Sequence, residues 1–232
     1  MIPDIVPRQK SAALAPPRAR TKAPAPRKKY DAEKTRGNIL SIATREFARN
    51  GYNGARIDAI AARTSTTKRM IYYYFGGKEQ LYIAVLEAAY ARIRDHEAAL
   101  GLDAMKPEQA IRRLAEFTFD YDHANPEFVR LVAVENIHHA RHLRKSAVIR
   151  SVNAKIIGTL DRILKRGRRE GRFVANVQAV DVHMLMSALC FFHVSNLHTF
   201  GTIFRRDFLS PRLRSTHRKL VADFIIHRLK QR

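Results

Sequence analysis

Cysteine is almost absent from this sequence of 232 residues, in which Cys190 is the only one. A single cysteine cannot form a disulfide within the chain, which excludes the disulfide-dense secreted scaffolds. Its neighbours Leu189, Phe191 and Phe192 predict a buried, unreactive thiol. No apolar run has the length of a signal peptide or reaches the roughly 18 residues that span a bilayer. We therefore expect a protein without membrane spans that works in a reducing cytoplasm.

Acidic residues are scarce relative to basic ones, with 21 Asp and Glu against 43 Lys and Arg and a formal net charge of +22. Residues 1–80 carry half of this excess, so that positive charge is about twice as dense there as in residues 81–232. An excess of this size favours a polyanionic partner. Charge alone does not distinguish nucleic acid from an anionic membrane. A nonspecific basic DNA- or membrane-surface-binding protein is therefore the alternative to any specific function.

Motifs of the common enzyme classes are missing as well. The chain has no phosphate-binding glycine loop and no G-x-S-x-G elbow. Asp120 and Asp122 stand two positions apart and therefore do not face each other on a helix. His138 and His142 stand four apart, which brings two imidazoles onto one face of a helix, but the sequence offers no pattern that completes a metal site. We expect no catalysis, no metal and no other cofactor.

The sequence does contain a basic N-terminal arm followed by helical patterns. Residues 1–30 combine six prolines with eight Lys and Arg, which predicts a disordered arm that either keeps the protein soluble or follows a DNA groove. Beyond it, apolar residues recur with helical spacing and no strand or hairpin is predicted. The predicted helices cover residues 31–51, 57–63, 67–74, 78–100, 107–123, 126–137, 146–166, 180–200 and 211–229. The fold class predicted is all-α.

Two short predicted helices near the N-terminus are joined by a turn of three residues. This arrangement allows the second helix to enter a major groove of DNA. Thr67 can cap that helix, which leaves Lys68 and Arg69 in the first turn, where they can meet phosphates or base edges. Tyr72 and Tyr73 follow one turn later and can add phosphate hydrogen bonds or contact a thymine methyl group.

Three segments of this region have the order and spacing of a known family. They read FARNGY at 47–52, IDAIA at 57–61 and IYYYFGGKEQL at 71–81. Through them, residues 36–86 resemble the DNA-binding domain of the TetR/AcrR family of transcriptional regulators. A lone helix-turn-helix is weak evidence, whereas this combination over about 50 residues is specific.

The resemblance implies which residues contact DNA. They are Arg56, Thr67, Lys68, Arg69, Tyr72, Tyr73 and Lys78. Ser65 stands where the family usually has a turn glycine, and we expect either that it adopts a left-handed conformation at a cost of about 1–2 kcal/mol or that the turn shifts by one residue. Gly77 stands where a Ser or Asn usually caps the next helix.

The resemblance also implies two domains. An N-terminal three-helix DNA-binding domain would cover residues 31–91, with its helix-turn-helix at about 56–75, and a larger helical ligand-binding and dimerisation domain would cover 92–232. The helices at 181–200 and 210–229 are the candidates for the dimer interface, through Leu185, Leu189, Phe192, Leu220, Phe224 and Ile225. Candidates for an effector pocket combine apolar and polar side chains, and are Phe117, Tyr121, Phe128, Glu135, His138, His183 and His193.

The function implied is a ligand-responsive transcriptional repressor. It would bind a palindromic operator in double-stranded DNA as a homodimer and be released by a small-molecule effector. The abundance of His and Arg suits an anionic or aromatic effector.

Overall fold

The fold is all-helical, as predicted. The computed structural model describes residues 27–174 and 176–231, and within these ranges it contains helices and no β-strand. The α-helices are α1 (Arg27–Gly54), α2 (Ile57–Thr64), α3 (Lys68–Phe75), α4 (Lys78–Ala98), α5 (Pro107–Ala124), α6 (Pro126–Ile137), α7 (Ala147–Arg169), α8 (Ala179–Ser195), α9 (Leu197–Ile203) and α10 (Pro211–Lys230). Short 3-10 helices cover Leu102–Ala104 and Leu143–Lys145.

Helix α1 begins at Arg27, four residues before the predicted start. Residues 27–30 of the predicted arm therefore belong to this helix, and residues 1–26 lie outside the described part of the chain. At its other end the helix is interrupted at Gly51, whose φ of 66° and ψ of 178° are not helical. The predicted glycine stop is thus confirmed, because a positive φ is readily adopted only by glycine.

Several helix ends follow the expected local chemistry. Pro107 and Pro126 stand in the first turns of α5 and α6, where a missing N–H costs no hydrogen bond. Ser146 caps α7, because its hydroxyl oxygen accepts a hydrogen bond from the Ile149 N–H at 3.1 Å. The same hydroxyl donates to Glu87 Oε1 at 2.6 Å and so attaches the start of α7 to α4.

The single helix predicted at 180–200 is broken into α8 and α9, whose axes differ by 61°. The bend brings Phe200 into edge contact with Phe192 at 5.1 Å between ring centroids and within 6.4 Å of Phe208. Aromatic packing that periodicity cannot predict therefore favours the break. No single helix of the described residues has both the length and the apolar character to cross a membrane, although α8 and α9 taken together meet that criterion by length and composition.

The buried side chains form two apolar clusters. The first is built from α1 to α4, with Phe47, Ile60 and Tyr82 among its fully buried members, and it includes Leu131 of α6 and Ile149 of α7. Because α6 and α7 contribute to this cluster, a movement of either helix reaches the N-terminal helices directly.

The second cluster is built from α5, α7, α8 and α10. Cys190 lies in it with no exposed surface, which confirms the predicted buried thiol, and burial raises the pKa of that thiol. Helix α4 is continuous through residue 91, where the sequence predicts the domain boundary. Helix α4 therefore runs without a break from the first apolar cluster across the predicted boundary.

Candidate functional site

The turn between α2 and α3 orients the second helix outward. Ser65 ends α2 in the left-handed conformation, with φ 51° and ψ 34°. The Thr64 hydroxyl donates to the Ile60 carbonyl at 3.0 Å, and the Thr66 N–H donates to the Ala61 carbonyl at 3.3 Å. The residues on either side of Ser65 are thus both hydrogen-bonded to α2. Buried Ile71 then holds α3 against the core.

The outer face of α3 carries the side chains that the sequence assigned to DNA. Thr67 caps the helix by accepting a hydrogen bond from the Met70 N–H at 3.2 Å. Arg69 is exposed, as are Tyr72 (39%) and Tyr73 (78%). Lys68 is exposed too, but its ammonium group lies 3.3 Å from Asp58 on α2. The face therefore offers cationic and hydroxyl donors of the kind that contact phosphates and base edges.

Two further residues that the sequence predicts to contact DNA lie on either side of α3. Arg56 has an exposed side chain, and its backbone N–H donates to Glu46 Oε1 at 3.3 Å. Lys78 is half-buried, donates to the Asn53 carbonyl at 3.3 Å and lies 5.1 Å from the Tyr52 ring centroid. Both ends of the helix-turn-helix are thus attached to α1, and the Lys78 ammonium is already held in place.

Glu46 is a positioning residue that the sequence analysis did not find. Only 4% of it is exposed, and its carboxylate also accepts from Asn50 Nδ2 at 2.8 Å and contacts Arg63 Nη1 at 3.4 Å. It therefore joins α1 to both ends of α2. Its position on the inner edge of α1, next to buried Phe47, is the sequence signal that could have identified it.

A cavity of about 410 Å³, here called the central cavity, lies among α4, α5, α6, α7 and α8. Its apolar walls include Tyr90, Phe128 and Phe191. Its polar lining includes Arg94, Glu97, Asp122, His183 and Ser187. Apolar walls with a few convergent polar groups are typical of small-molecule sites.

The charged side chains of the central cavity lie deep in the protein. Arg94 Nη1 donates to Glu97 Oε2 at 2.7 Å, with the two side chains 9% and 2% exposed. The same nitrogen lies 3.3 Å from His183 Nε2, whose other ring nitrogen lies 3.4 Å from Ser187 Oγ. Burial, with the nearby positive charge of Arg94, lowers the pKa of His183 to about 4. The imidazole is therefore neutral near pH 7.

Two of the seven predicted pocket residues, Phe128 and His183, line the central cavity. Tyr121 and Phe128 line a separate groove of about 330 Å³ between α1 and the helices α4 to α6. Phe117 packs against Tyr121, with 5.6 Å between ring centroids. His193 lies between two other histidines. Its Nδ1 is 2.9 Å from His123 Nε2, and its Nε2 is 2.6 Å from His217 Nδ1.

Glu135 and His138 lie at the end of α6, away from the central cavity. Glu135 is fully buried and accepts three hydrogen bonds, from His142 Nδ1 at 2.8 Å and from the His142 and Leu143 N–H groups at 3.1 Å each. Helix α6 ends at Ile137, so His138 and His142 do not share a helical face as their spacing suggested. Within the described residues, no group of three or more His, Cys, Asp or Glu is arranged to hold a metal ion.

His142 connects this end of α6 to the N-terminal helices. Its ring lies 4.3 Å from the Tyr52 ring and 4.8 Å from the Tyr82 ring, between centroids. Tyr52 is the residue over which the Lys78 ammonium lies. A continuous set of contacts therefore runs from the end of α6 to the flank of α3.

Comparison with known proteins identifies the family to which this chain belongs. The family model for bacterial regulatory proteins of the tetR family matches residues 39–85, and the model for the tetracyclin repressor-like C-terminal domain matches residues 107–225. The chain belongs to the TetR family. Among relatives of this TetR-family protein is the HTH-type transcriptional repressor NicS of Pseudomonas putida, which is 36% identical over 200 residues, or 86% of this chain and 94% of NicS.

Solved structures of other TetR-type regulators have the same fold. A transcriptional regulator from Streptomyces coelicolor superimposes with a TM-score of 0.64 at 25% identity, covering 85% of this chain and 99% of that one. The regulator FadR from Bacillus subtilis, solved in complex with stearoyl-CoA, has a TM-score of 0.64 at 16% identity, covering 82% and 97% of the two chains. The predicted family and fold class are thus confirmed over most of the described chain.

Proposed function

We propose that this TetR-family regulator represses transcription by inserting α3 into the major groove of a palindromic operator. The observation that carries the proposal is the exposed face of Arg69, Tyr72 and Tyr73 on a helix whose inner face is held by buried Ile71 and Phe75. A rigid helix that presents donors on its outer face suits base and phosphate recognition. The relative named as a repressor, NicS, supports repression as the outcome.

The proposal includes a homodimer formed by α8 and α10. Met184 and Phe192 of α8 are 66% and 49% exposed, and Leu220 and Phe224 of α10 are 61% and 50% exposed. Large apolar side chains exposed on adjacent helices are typical of a surface that a second copy covers. Three other residues assigned to the interface from the sequence, Leu185, Leu189 and Ile225, pack instead against the chain's own core.

The proposal assigns an effector to the central cavity. The cavity is bounded by α6 and α7, which also contribute Leu131 and Ile149 to the cluster under the helix-turn-helix. A ligand that shifts either helix would therefore change how the two DNA-binding heads of a dimer are spaced. A coupling free energy of about 1–3 kcal/mol is enough to weaken operator binding roughly 5- to 150-fold.

The test is selection of binding sites from random duplex DNA at near-physiological salt, followed by affinity measurements with Arg69→Ala and Tyr73→Ala. We expect a palindromic site with half-sites about one helical turn apart, for which both variants lose affinity and selectivity. A matched control is Arg169→Ala, which removes the same charge from the exposed end of α7.

The control separates this proposal from purely charge-driven binding. Nonspecific attraction depends on the basic groups that meet phosphates and not on base sequence, so no sequence would be enriched, and Arg69→Ala, like Arg169→Ala, would change affinity for every duplex by one common factor. That result would refute operator recognition by α3.

A further inference from the structure

Carboxyl groups outnumber cationic groups deep in the central cavity, where two buried carboxyl groups lie near one buried guanidinium. Arg94 is paired with Glu97, at 2.7 Å. Asp122 of α5 lines the same cavity and is only 4% exposed. Within residues 27–174 and 176–231, no group donates a hydrogen bond to its carboxylate. A carboxylate that faces a cavity and has no protein donor takes its hydrogen bonds from water or from a ligand, so Asp122 is free to pair with a bound group.

We propose, on the basis of the effector site proposed above, that the central cavity binds a flat ligand that presents a cationic nitrogen to the Asp122 carboxylate. The aromatic side chains of Tyr90, Phe128 and Phe191 line the same cavity, and the Tyr90 and Phe128 rings meet edge to face at 5.4 Å between centroids. Aromatic faces attract a cation through their quadrupole and pack against a planar group. A volume of about 410 Å³ admits a small molecule of this kind.

The raised pKa values of both buried carboxyl groups are consistent with a site that binds a positive charge. Burial raises the pKa of Asp122 to about 7, an effect that Glu97 increases and Arg94 only partly offsets. Burial likewise raises the pKa of Glu97 to about 7 against the opposing effect of Arg94. His183 adds no charge near neutral pH, since its pKa is about 4. A bound cation would stabilise the ionised carboxylates and so release a proton.

An anionic ligand fits the same cavity poorly. It would have to displace Glu97 from Arg94, or add a third negative charge beside two carboxyl groups. Arg150 lines the cavity but is exposed, and its guanidinium donates to the Arg144 carbonyl at 3.1 Å. Of the anionic or aromatic effector expected from the abundance of His and Arg, the lining of this cavity favours the aromatic alternative, in a cationic form.

The inference is tested by isothermal titration calorimetry of the full chain with benzamidine, benzamide and benzoate, three probes of matched size that are cationic, neutral and anionic. We expect benzamidine to bind most tightly, and its affinity to rise between pH 6 and pH 8 as the carboxyl groups ionise. Asp122→Asn should weaken benzamidine binding about tenfold or more, as expected for a lost charge-assisted hydrogen bond. Asp161→Asn, at an exposed carboxylate on α7, should leave the binding unchanged.

A folding control accompanies the variant. Removing a buried, destabilised charge should make Asp122→Asn at least as stable to heat as the wild type at pH 8, so lost binding would not reflect unfolding. Tighter binding of benzoate, no binding of benzamidine at millimolar concentration, or undiminished binding by Asp122→Asn would each overturn the inference. Operator selection through α3 does not depend on this cavity. If a palindromic site is selected but benzamidine does not bind, the ligand class is wrong and the DNA-binding function stands.

Discussion

Ser65 holds a backbone conformation that glycine adopts at little cost and other residues do not. Its φ of 51° and ψ of 34° close the turn before the recognition helix, and its side chain is exposed. A Cβ atom in this conformation costs about 1–2 kcal/mol. The expectation drawn from its place in the family pattern, that serine bears this strain, is therefore met by the structure.

Replacing Ser65 by glycine should relieve the strain, whereas replacing it by alanine should not. We expect Ser65→Gly to be more stable than Ser65→Ala by about 1 kcal/mol, the left-handed penalty less the larger chain entropy of unfolded glycine. Urea denaturation of the two variants measures the difference. A turn without backbone strain would instead make Ser65→Ala the more stable variant, by about 0.5–1 kcal/mol, because only the entropy of unfolded glycine would remain.

The burial of Asp122 could not be predicted from the sequence. In the sequence it appears only as a carboxylate two positions from Asp120, and nothing local distinguishes the two. In the structure Asp122 is 4% exposed, whereas the Asp120 side chain is 43% exposed and forms an ion pair with Arg218. The difference arises from α4 and α8, which cover one face of α5, and such long-range packing has no signature in the spacing of α5 itself.

At the scale of elements, the connection between α6 and α7 contains two left-handed residues and is held by backbone hydrogen bonds together with one buried carboxylate. His139 and Ala140 both have positive φ, of 55° and 56°. Left-handed non-glycine residues persist where their surroundings over-determine them. Here the Glu135 carboxylate binds the His142 ring and two backbone N–H groups from within the core.

Removing the Glu135 carboxylate should therefore destabilise the whole protein. We expect Glu135→Ala to lower the free energy of unfolding by about 3–5 kcal/mol, since it leaves buried donors without a partner. Glu135→Gln keeps one acceptor oxygen and should lose less. Glu170→Ala, at an exposed carboxylate, should change stability by no more than about 0.5 kcal/mol in the same denaturant titration. A loss as small as that for Glu135→Ala would contradict the role assigned to this side chain.

The elements could be predicted from the sequence where local chemistry sets their ends. Pro107 and Pro126 begin their helices as predicted, and Thr67 caps α3 by accepting from Met70. The break at Asn196 could not be predicted, because the apolar pattern continues across it and it is stabilised by contacts such as Phe192 with Phe200. The residues proposed to face DNA follow from the family pattern, whereas most of the central cavity depends on which faces of α4, α5 and α8 meet.

At the scale of the whole molecule, the chain leaves an apolar surface uncovered on α8 and α10. Met184, Phe192, Leu220 and Phe224 are each about half exposed or more. The helix-turn-helix lies at the other end of the chain's sequence, with its core built from α1 to α4. A dimer through α8 and α10 would therefore leave α3 free to reach the DNA.

Charged substitutions on this surface should separate the protomers without unfolding them. We expect Met184→Glu with Phe224→Glu to convert a dimer into a monomer, because two carboxylates would face the apolar surface of the other copy and lose hydration there. Operator affinity should fall with it, since each protomer then reads only one half-site. Val148→Glu, which places a carboxylate at an equally exposed apolar position on α7, should stay dimeric. Sedimentation velocity at micromolar concentration decides the question: a wild type that is already monomeric, or a double variant that remains dimeric, would remove α8 and α10 as the interface.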